Sequence, residues 1–319
     1  MMSDLDISIK ERLQAAKNLL IVSHVRPDGD AIGSLLAMGL ALIAGGKRVE
    51  MVLSDGVPNS FRHLPGSKRI LKAQKNKADL SIVVDCSDLK RVGNALQNYG
   101  KPDVVIDHHQ TNGSFGVINL IEAKAPATSS ILVEHFPAWG LTITPEVAAN
   151  LLTGLVTDTL GFRTINTTPQ SLRQAADLME LGASLSNLYY QGLVRRTLAA
   201  ARYWGAGLGN LHYQDGIVWT ALTLADRFKS GYSGNDDADL INMVSIIDEG
   251  LVSIIFVEQT NGTVKISWRT QDENLDVSRI AMKFNGGGHK AAAGADIPGN
   301  LAEIKARVLA ETGRILKKS

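Results

Sequence analysis

Residues 18–30 read NLLIVSHVRPDGD and decide the fold of the first half of the chain. The apolar run over residues 18–25 predicts a buried strand, and the polar cluster after it marks the carboxyl end of that strand. Residues 31–44 predict a helix that ends at Gly45 and Gly46, and residues 48–53 predict a second strand. A strand, a crossover helix and another strand are typical of a parallel sheet.

Two further apolar runs extend this sheet. Residues 80–84 and 104–106 are short, mostly apolar segments, and an aspartate follows each of them at once, Asp85 and Asp107. Continuous apolar strands that alternate with helices favour an α/β fold whose parallel sheet is covered on both faces. Ligands of such sheets bind beyond the carboxyl ends of the strands. We therefore expect these aspartates to lie at one functional edge.

The rest of the chain predicts helices and then a smaller α/β domain. Predicted helices cover residues 128–139, 145–157, 169–182 and 187–204. Predicted strands follow at residues 217–222, 251–257 and 264–268, the last two joined by a turn at Asn261-Gly262. Further helices are predicted at residues 236–247, 277–284 and 301–317. We expect a first domain at residues 1–186, a helical linker at 187–208 and a second domain at 209–319.

Length and charge narrow the class of protein. The chain has 319 residues, which exceeds the usual single-domain size. Its 33 basic and 32 acidic residues give a net charge of +1, so the broad basic surplus typical of proteins that bind long duplexes is lacking. A small substrate needs only one or two arginines for its phosphate. The composition therefore disfavours a duplex-binding protein and leaves room for a local phosphate site.

The sequence predicts a cytoplasmic protein. Cys86 is the single cysteine, so no intramolecular disulfide forms, and this favours a reducing compartment. No basic segment followed by an apolar one occurs at the N-terminus, and we expect no signal peptide. The longest apolar run, residues 31–44, is too short to span a bilayer. In a cytoplasmic chain, the Asn-x-Ser/Thr triplets at Asn112 and Asn261 are chance matches.

Four polar clusters in the first half carry the candidate chemistry. They consist of acidic and imidazole side chains at His24, Asp28, Asp30, Asp85, Asp107, His108, His109 and Asp158. Taken singly, each has a structural explanation: Asp30 would cap the helix predicted from residue 31, Asp85 and Asp107 would form turns, and Asp158 would face solvent. Taken together, about four carboxylates in one crevice cannot stay ionised without cations.

Two divalent cations would balance this charge. The clusters combine carboxylate oxygens with the imidazole nitrogens of His24 and His108, a mixed donor set that suits Mn²⁺ and also accepts other divalent metals. No cysteine occurs among the clustered residues, which argues against a closed structural zinc site. The sequence therefore predicts a two-metal centre.

The order of these clusters carries a family resemblance. The series His24-x3-Asp28-x-Asp30, Asp85, Asp107-His108-His109 and Asp158 resembles the DHH phosphoesterase superfamily. The later Gly286-Gly287-Gly288-His289, followed by Ala291-Ala292-Ala293-Gly294, resembles the DHHA1 domain of that superfamily. Within it, the short two-domain form is similar to the bacterial oligoribonuclease/3′-phosphoadenosine-5′-phosphate phosphatases, or nanoRNases. RecJ exonucleases carry additional domains, and family II pyrophosphatases have a different second domain without the GGGH loop.

This resemblance implies a role for each clustered residue. One ion would be held by His24, Asp28 and Asp85, and the other by Asp30, Asp85, His108 and Asp158, with Asp85 shared. Asp107 would orient the ligands, and His109 would lie near the leaving group or the substrate phosphate, so these two are the candidate catalytic residues. Leu160 stands where the family pattern leads us to expect glycine.

The second domain would select the substrate. Arg269, just after the strand predicted to end at residue 268, is the candidate phosphate clamp. Gly286, Gly287 and Gly288 would let backbone N–H groups approach a phosphate at the N-terminus of a following helix, and His289 would contact a second phosphate or a sugar. The structural alternatives are a plain flexible turn for the glycines and a surface salt bridge for Arg269. Arg195 and Arg196 would be solvated linker charges.

These expectations define a two-metal, Mn²⁺-dependent phosphoesterase that hydrolyses short single-stranded oligoribonucleotides and 3′-phosphoadenosine 5′-phosphate. One alternative is a phosphodiesterase of linear or cyclic dinucleotide signals, and another is a metal-dependent nucleotide sensor without turnover. The expected partner is a short oligonucleotide or a small nucleotide, with no membrane, and a homodimer is left open.

Overall fold

The computed structural model describes residues 3–97 and 99–317. The chain divides into two compact units, Met1–Arg195 and Arg196–Ser319. Among the described residues, no helix is both long enough and apolar enough to cross a bilayer. The domain boundaries expected from the sequence, which include a separate linker at residues 187–208, stay a prediction.

The first unit is built on a five-stranded parallel sheet in the order β2-β1-β3-β4-β5. Its strands are β1 (Asn18–Val22), β2 (Arg48–Val52), β3 (Leu80–Val84), β4 (Val104–Asp107) and β5 (Ile118–Ile121). The central strands β3 and β4 are buried along their whole length, because apolar side chains on both faces pack under helices. The predicted parallel α/β fold is confirmed, while the edge strand β5 was not predicted.

Six α-helices accompany this sheet in the described part of the unit. They are α1 (Asp4–Ala15), α2 (Gly29–Ala44), α3 (Thr128–Trp139), α4 (Pro145–Asp158), α5 (Pro169–Glu180) and α6 (Leu185–Tyr189). Helix α2 begins at Gly29, earlier than predicted, because Asp28 and not Asp30 is its N-cap. Helix α1 was missed, although Ser3 and Asp6 form a capping box that the sequence displays.

Helices α2 and α4 pack closely because the residues where they touch are glycines, which have no side chain to keep the helices apart. A Cβ added at Gly33 would lie 2.5 Å from the carbonyl oxygen of Asn150, and one at Gly154 would lie 2.4 Å from Asp30 Oδ1. Any larger side chain at these positions would push the helices apart. The contact brings the start of α2, with Asp30, beside the end of α4, with Asp158.

The helix predicted over residues 187–204 is interrupted. Helix α6 continues as a π-helical turn, Tyr190–Val194, and Arg195 then adopts an extended backbone with ψ of 125°. A new helix, α7 (Leu198–Leu208), starts after Thr197, whose side chain accepts the backbone N–H of Ala200. A capping threonine just before an apolar residue is a helix-start signal, which hydrophobic periodicity alone does not reveal.

The second unit contains a six-stranded mixed sheet in the order β10-β11-β9-β8-β7-β6, in which only β7 and β8 run parallel. Its strands are β6 (His212–Gln214), β7 (Ile217–Leu222), β8 (Val252–Glu258), β9 (Thr263–Arg269), β10 (Gly287–His289) and β11 (Ala292–Pro298). Its remaining α-helices in the described part are α8 (Leu224–Ser230), α9 (Ile241–Val244), α10 (Val277–Met282) and α11 (Leu301–Leu316). The predicted smaller α/β domain and the β8–β9 hairpin are confirmed.

The helix predicted over residues 236–247 is wrong for most of its length. Only α9, Ile241–Val244, is α-helical there. Ala238 and Asp239 have φ values of 53° and 64°, in the left-handed region that an α-helix excludes. This turn instead brings Asp239 to Arg196, which donates to Asp239 Oδ2 at 2.8 Å. Arg196 is therefore paired and not a solvated linker charge.

Candidate active site

The carboxyl ends of β1, β3 and β4 carry the polar clusters. His24 follows β1 by two residues, Asp85 comes directly after β3, and Asp107 is the last residue of β4. Because these strands are neighbours in a parallel sheet, their ends meet at one edge. Asp85 has a φ of 53°, a left-handed conformation that is costly for a non-glycine residue. The strand end is therefore held under strain where the clusters meet.

One group of potential ligand atoms consists of His24, Asp28 and Asp85, whose donor atoms lie within 4.8 Å of one another. The Nε2 atom of His24 lies 3.6 Å from Asp85 Oδ2 and 3.8 Å from Asp28 Oδ2. These separations are too long for good hydrogen bonds. They suit two ligands of one ion, each at about 2.0–2.2 Å from the metal.

A second group consists of Asp30, Asp85 and His108. The Nε2 atom of His108 lies 3.6 Å from Asp85 Oδ1 and 3.4 Å from Asp158 Oδ2. Asp85 thus presents one oxygen to each histidine. The structure brings together all six residues for which the sequence predicted metal binding, and their roles as ligands stay a prediction.

Backbone carbonyls set the orientation of both imidazoles. The Nδ1 atom of His24 lies 2.9 Å from the carbonyl oxygen of Val25, and that of His108 lies 3.3 Å from the carbonyl oxygen of Ala125. A carbonyl only accepts, so a proton on Nδ1 would complete each contact and leave Nε2 as the nitrogen on the side of the carboxylates. Such second contacts are typical of histidines that bind metal.

The N-terminus of α3 holds two of the aspartates. The backbone N–H groups of Thr128 and Ser129 donate to the two oxygens of Asp30 at 2.6 and 3.0 Å. The hydroxyl of Thr128 donates to Asp85 Oδ1 at 3.0 Å. A helix N-terminus favours negative charge, so α3 fixes and partly compensates these buried carboxylates. Neither Thr128 nor Ser129 was predicted to contact the site, because a helix that starts Thr-Ser-Ser looks like ordinary capping.

The pKa values of these carboxylates are shifted in opposite directions. Burial, reinforced by the charge of Asp85, raises the pKa of Asp30 to about 7. Burial and the charges of Asp30, Asp28 and Asp85 raise the pKa of Asp158 well above its usual value. Burial also works against ionisation of Asp85, but the contact with His24 and the charges of the neighbouring imidazoles outweigh it and lower its pKa. Negative charge is crowded here, and the donor set therefore fits divalent cations.

Asp107 and His109 form a pair beside this cluster. Asp107 is fully buried, and His109 Nδ1 donates to its Oδ1 at 2.7 Å. Burial lowers the pKa of His109, but the hydrogen bond to Asp107 and the charge of Asp85 exceed that effect, so its pKa is raised. An imidazole held by a carboxylate in this way is suited to give a proton to an oxygen atom. The sequence did not predict this pair, and the expected roles of Asp107 in orienting the metal ligands and of His109 near the leaving group stay predictions.

The loop after α4 contains the departure from the family pattern. Leu160 has a φ of 47°, in the left-handed region that favours glycine. The position therefore demands the conformation for which glycine is the usual residue, and this chain meets it with a strained leucine.

In the second unit, Arg269 ends β9 and lies in register with Ala292 of β11, which is itself in register with His289 of β10. Side chains directly opposite one another in antiparallel strands project to the same face. Arg269 and His289 therefore flank the small Ala292 on one face of the sheet. Burial lowers the pKa of Arg269, opposed by the charges of Asp237 and Asp239.

The expectation that the glycine run opens a helix is wrong. Gly287–His289 is a strand, β10, which pairs with β11. A Cβ at Gly286 would lie 2.3 Å from the carbonyl oxygen of Gly294, and one at Gly288 would lie 2.4 Å from that of Ala292. Glycine is thus required for the close approach of these two strands. Substrate binding by Gly286, Gly287, Gly288 and His289 stays a prediction.

These features define a two-unit α/β protein with a carboxylate and imidazole centre at the edge of its parallel sheet. Residues 18–155 match the DHH family, N-terminal domain, and residues 221–317 match the DHHA1 domain. A Thermus thermophilus protein named bifunctional oligoribonuclease and PAP phosphatase NrnA is 32% identical over 94% of this chain and 91% of its own length. The chain belongs to the DHH family and carries its DHHA1 domain.

Two further relatives extend this comparison. A Bacillus subtilis protein with the same name is 25% identical over 88% of this chain and 89% of its own length. A solved structure of an exopolyphosphatase-related protein from Bacteroides fragilis superposes with a TM-score of 0.89 and 26% identity, covering 98% of this chain and 97% of that one. The similarity therefore includes both units.

Proposed function

We propose that this chain is a metal-dependent phosphoesterase that hydrolyses short oligoribonucleotides and 3′-phosphoadenosine 5′-phosphate. The observation that carries the proposal is the convergence of five side chains around Asp85, namely His24, Asp28, Asp30, His108 and Asp158. The name of the Thermus relative, which aligns over nearly the whole chain, supports the oligoribonuclease and PAP phosphatase activities.

The two groups that share Asp85 support two bound cations. His24, Asp28 and Asp85 would hold one, and Asp30, Asp85, His108 and Asp158 would hold the other. We propose Mn²⁺ for both, because the donors mix imidazole nitrogen with carboxylate oxygen. When bound, such ions lower the pKa of water and stabilise negative charge on phosphoryl oxygens.

The chain's own residues would supply the remaining steps. Asp107 holds Nδ1 of His109 through the 2.7 Å hydrogen bond, which orients Nε2 for protonation of the leaving oxygen. Arg269 would bind a substrate phosphate with its planar guanidinium. His289, in register with Ala292 beside Arg269, would contact a second phosphate or a sugar.

The alternatives have less support. A phosphodiesterase of linear or cyclic dinucleotide signals would use the same metal ligands, but the matching names of the relatives favour the oligoribonuclease and PAP phosphatase activities. A sensor without turnover would not need the Asp107–His109 pair. The cytoplasmic location and the homodimer stay predictions.

One experiment tests the proposal directly. Purified protein with Mn²⁺ is incubated with end-labelled RNAs of graded length, 3′-phosphoadenosine 5′-phosphate, pyrophosphate, and linear and cyclic dinucleotides. We expect the shortest RNAs and 3′-phosphoadenosine 5′-phosphate to be hydrolysed fastest, and a chelator to stop the reaction. Selective cleavage of cyclic dinucleotides would favour the signalling alternative, and tight binding with no product would favour the sensor.

A further inference from the structure

The Asp107–His109 pair has a third member that the proposed mechanism does not use. Asn112 lies in the turn after His109, and its side-chain Nδ2 donates to Asp107 Oδ2 at 2.7 Å. The same Nδ2 donates to the carbonyl oxygen of Cys86 at 3.1 Å. Because Cys86 directly follows Asp85, Asn112 ties the turn to the neighbouring strand end.

Every hydrogen-bonding group of the Asn112 amide is engaged. Its two N–H groups serve Asp107 and Cys86, and its Oδ1 accepts the backbone N–H of Ser114 at 2.8 Å. A side-chain amide with both donors and its acceptor in use has a single orientation. Asn112 is thus fixed on three sides, and it in turn fixes the carboxylate of Asp107.

We infer that Asn112 is a positioning residue for His109. Asn112 occupies Oδ2 of Asp107, so that the other oxygen, Oδ1, is aimed at Nδ1 of His109. Without this anchor, the buried carboxylate would rotate and the imidazole would lose its orientation. This inference rests on the proposed function, because it assigns His109 the task of protonating the leaving oxygen.

The reaction concerned is hydrolysis of a phosphodiester. Water adds its oxygen to phosphorus and gives up a proton to solvent, the bond from phosphorus to the leaving oxygen breaks, and that oxygen takes the Nε2 proton of the His109 imidazolium to leave as an alcohol. The imidazole then regains a proton from solvent. A sugar hydroxyl is a poor leaving group and needs this proton, whereas p-nitrophenolate leaves readily without it.

The dependence on the leaving group separates positioning from a purely structural role. Asn112→Ala should lower kcat on a ribodinucleotide about tenfold, because a misplaced catalytic group loses much of its effect. The same variant should change kcat on bis(p-nitrophenyl) phosphate less than about twofold, since that ester needs little acid catalysis. Thr111→Ala, at an exposed position in the same turn, is the matched control and should leave both rates unchanged.

A double-mutant comparison with His109 completes the test. His109→Ala should lower kcat on the ribodinucleotide about 100-fold, and adding Asn112→Ala should then cost little more. The backbone N–H of Asn112 donates to the carbonyl oxygen of His109 at 3.1 Å, and this bond survives the substitution, so the turn is retained. Asn112→Asp provides a second variant of the same shape that cannot donate to Asp107, and it should reproduce the leaving-group difference.

Equal losses on both esters, or full additivity with His109→Ala, would overturn the inference while wild-type turnover left the proposed function intact. A metal-loaded wild-type protein that cleaves none of these esters would instead remove the proposed function, and the inference with it. Melting temperatures of all variants identify losses that come from unfolding.

Discussion

The candidate functional residues of the two units differ in how far they are exposed to solvent. In the first unit, Asp30, Asp85 and His108 are buried, and backbone amides, carbonyls and hydroxyls hold them. In the second unit, Gly287, Gly288 and His289 form an exposed edge strand. The first arrangement is rigid and expensive in electrostatic free energy, and the second is open to a ligand. The contrast suggests that catalytic chemistry needs preorganised donors, whereas substrate selection needs accessible ones.

Removing the shared carboxylate should have the largest effect. Asp85→Asn should reduce turnover by about 10⁴-fold on nucleotide and aryl esters alike, because loss of a central catalytic group disables every substrate. Rates on both substrates, with Mn²⁺ binding by calorimetry, test this. Asp177→Asn, an exposed position on α5, is the control and should behave as wild type. If Asp85→Asn reduced turnover on only one class of ester, the division into a catalytic first unit and a substrate-selecting second unit would be contradicted.

Removing the guanidinium of Arg269 should mainly affect substrates that have a second phosphate for it to bind. Arg269→Ala should reduce kcat/KM for 3′-phosphoadenosine 5′-phosphate by about 30-fold, since a charge-assisted hydrogen bond is worth about 1.5–3 kcal/mol. The rate on bis(p-nitrophenyl) phosphate should fall by less than about threefold, because that minimal ester lacks the second phosphate. Lys283→Ala, an exposed cation after α10, is the control. Equal losses on both substrates would count against a selective role for Arg269.

Alanine substitutions at two helical glycines, one in each unit, should have opposite effects on the free energy of unfolding. Gly154→Ala should destabilise the protein by about 2 kcal/mol, because overpacking a tight interface forces it apart. Its Cβ would lie 2.4 Å from Asp30 Oδ1 and 2.6 Å from Ser129 Oγ. Gly205 of α7 has no such neighbour within 4 Å, so Gly205→Ala should stabilise by up to about 1 kcal/mol. Urea unfolding measures both, and a neutral Gly154→Ala would show that the α2–α4 contact can relax.

A smaller, pH-dependent effect is expected away from the centre. His135 lies 2.9 Å from Glu122 and 2.6 Å from Asp6. Its hydrogen bond to Glu122, supported by Asp6, raises the pKa of His135 to about 9. A raised pKa stabilises the fold below the unfolded value of about 6.5, and this stabilisation fades as pH rises through the folded value.

His135→Asn should therefore lower the free energy of unfolding by about 1–2 kcal/mol at about pH 6 and by much less at about pH 9.5. Urea titrations at the two pH values measure the difference. His212→Asn, at an exposed histidine, is measured alongside for comparison. A constant difference for His135→Asn would mean that packing against Trp139 matters more than charge.

The sequence was informative where one pattern determines one structure. Apolar runs such as residues 80–84 predicted the buried parallel strands, and the aspartates after them predicted which side chains would converge. Residues 236–247 misled, because nothing in their composition reveals that Ala238 and Asp239 adopt left-handed backbones. The GGGH run misled for a related reason: glycine permits a close strand approach as readily as a phosphate loop.

Single polar residues were the hardest to interpret. In the sequence, Thr128 looks like an ordinary helix-start residue, and Asn112 looks like part of a chance Asn-x-Ser/Thr triplet. Their importance depends on hydrogen bonds to Asp85 and Asp107, which are far away in sequence or hidden within a turn. Such partners follow from tertiary contacts, and local propensity does not encode them.

The amides at the start of α3 also bear on how the protein matures. Because the backbone N–H groups of Thr128 and Ser129 donate to both oxygens of Asp30, the chain itself compensates part of the negative charge buried at this site. We therefore expect metal binding to be less tightly coupled to folding here than in the small zinc domains, which fold only around their ion. Exchange of one metal for another in the mature protein would accordingly leave the surrounding helices in place.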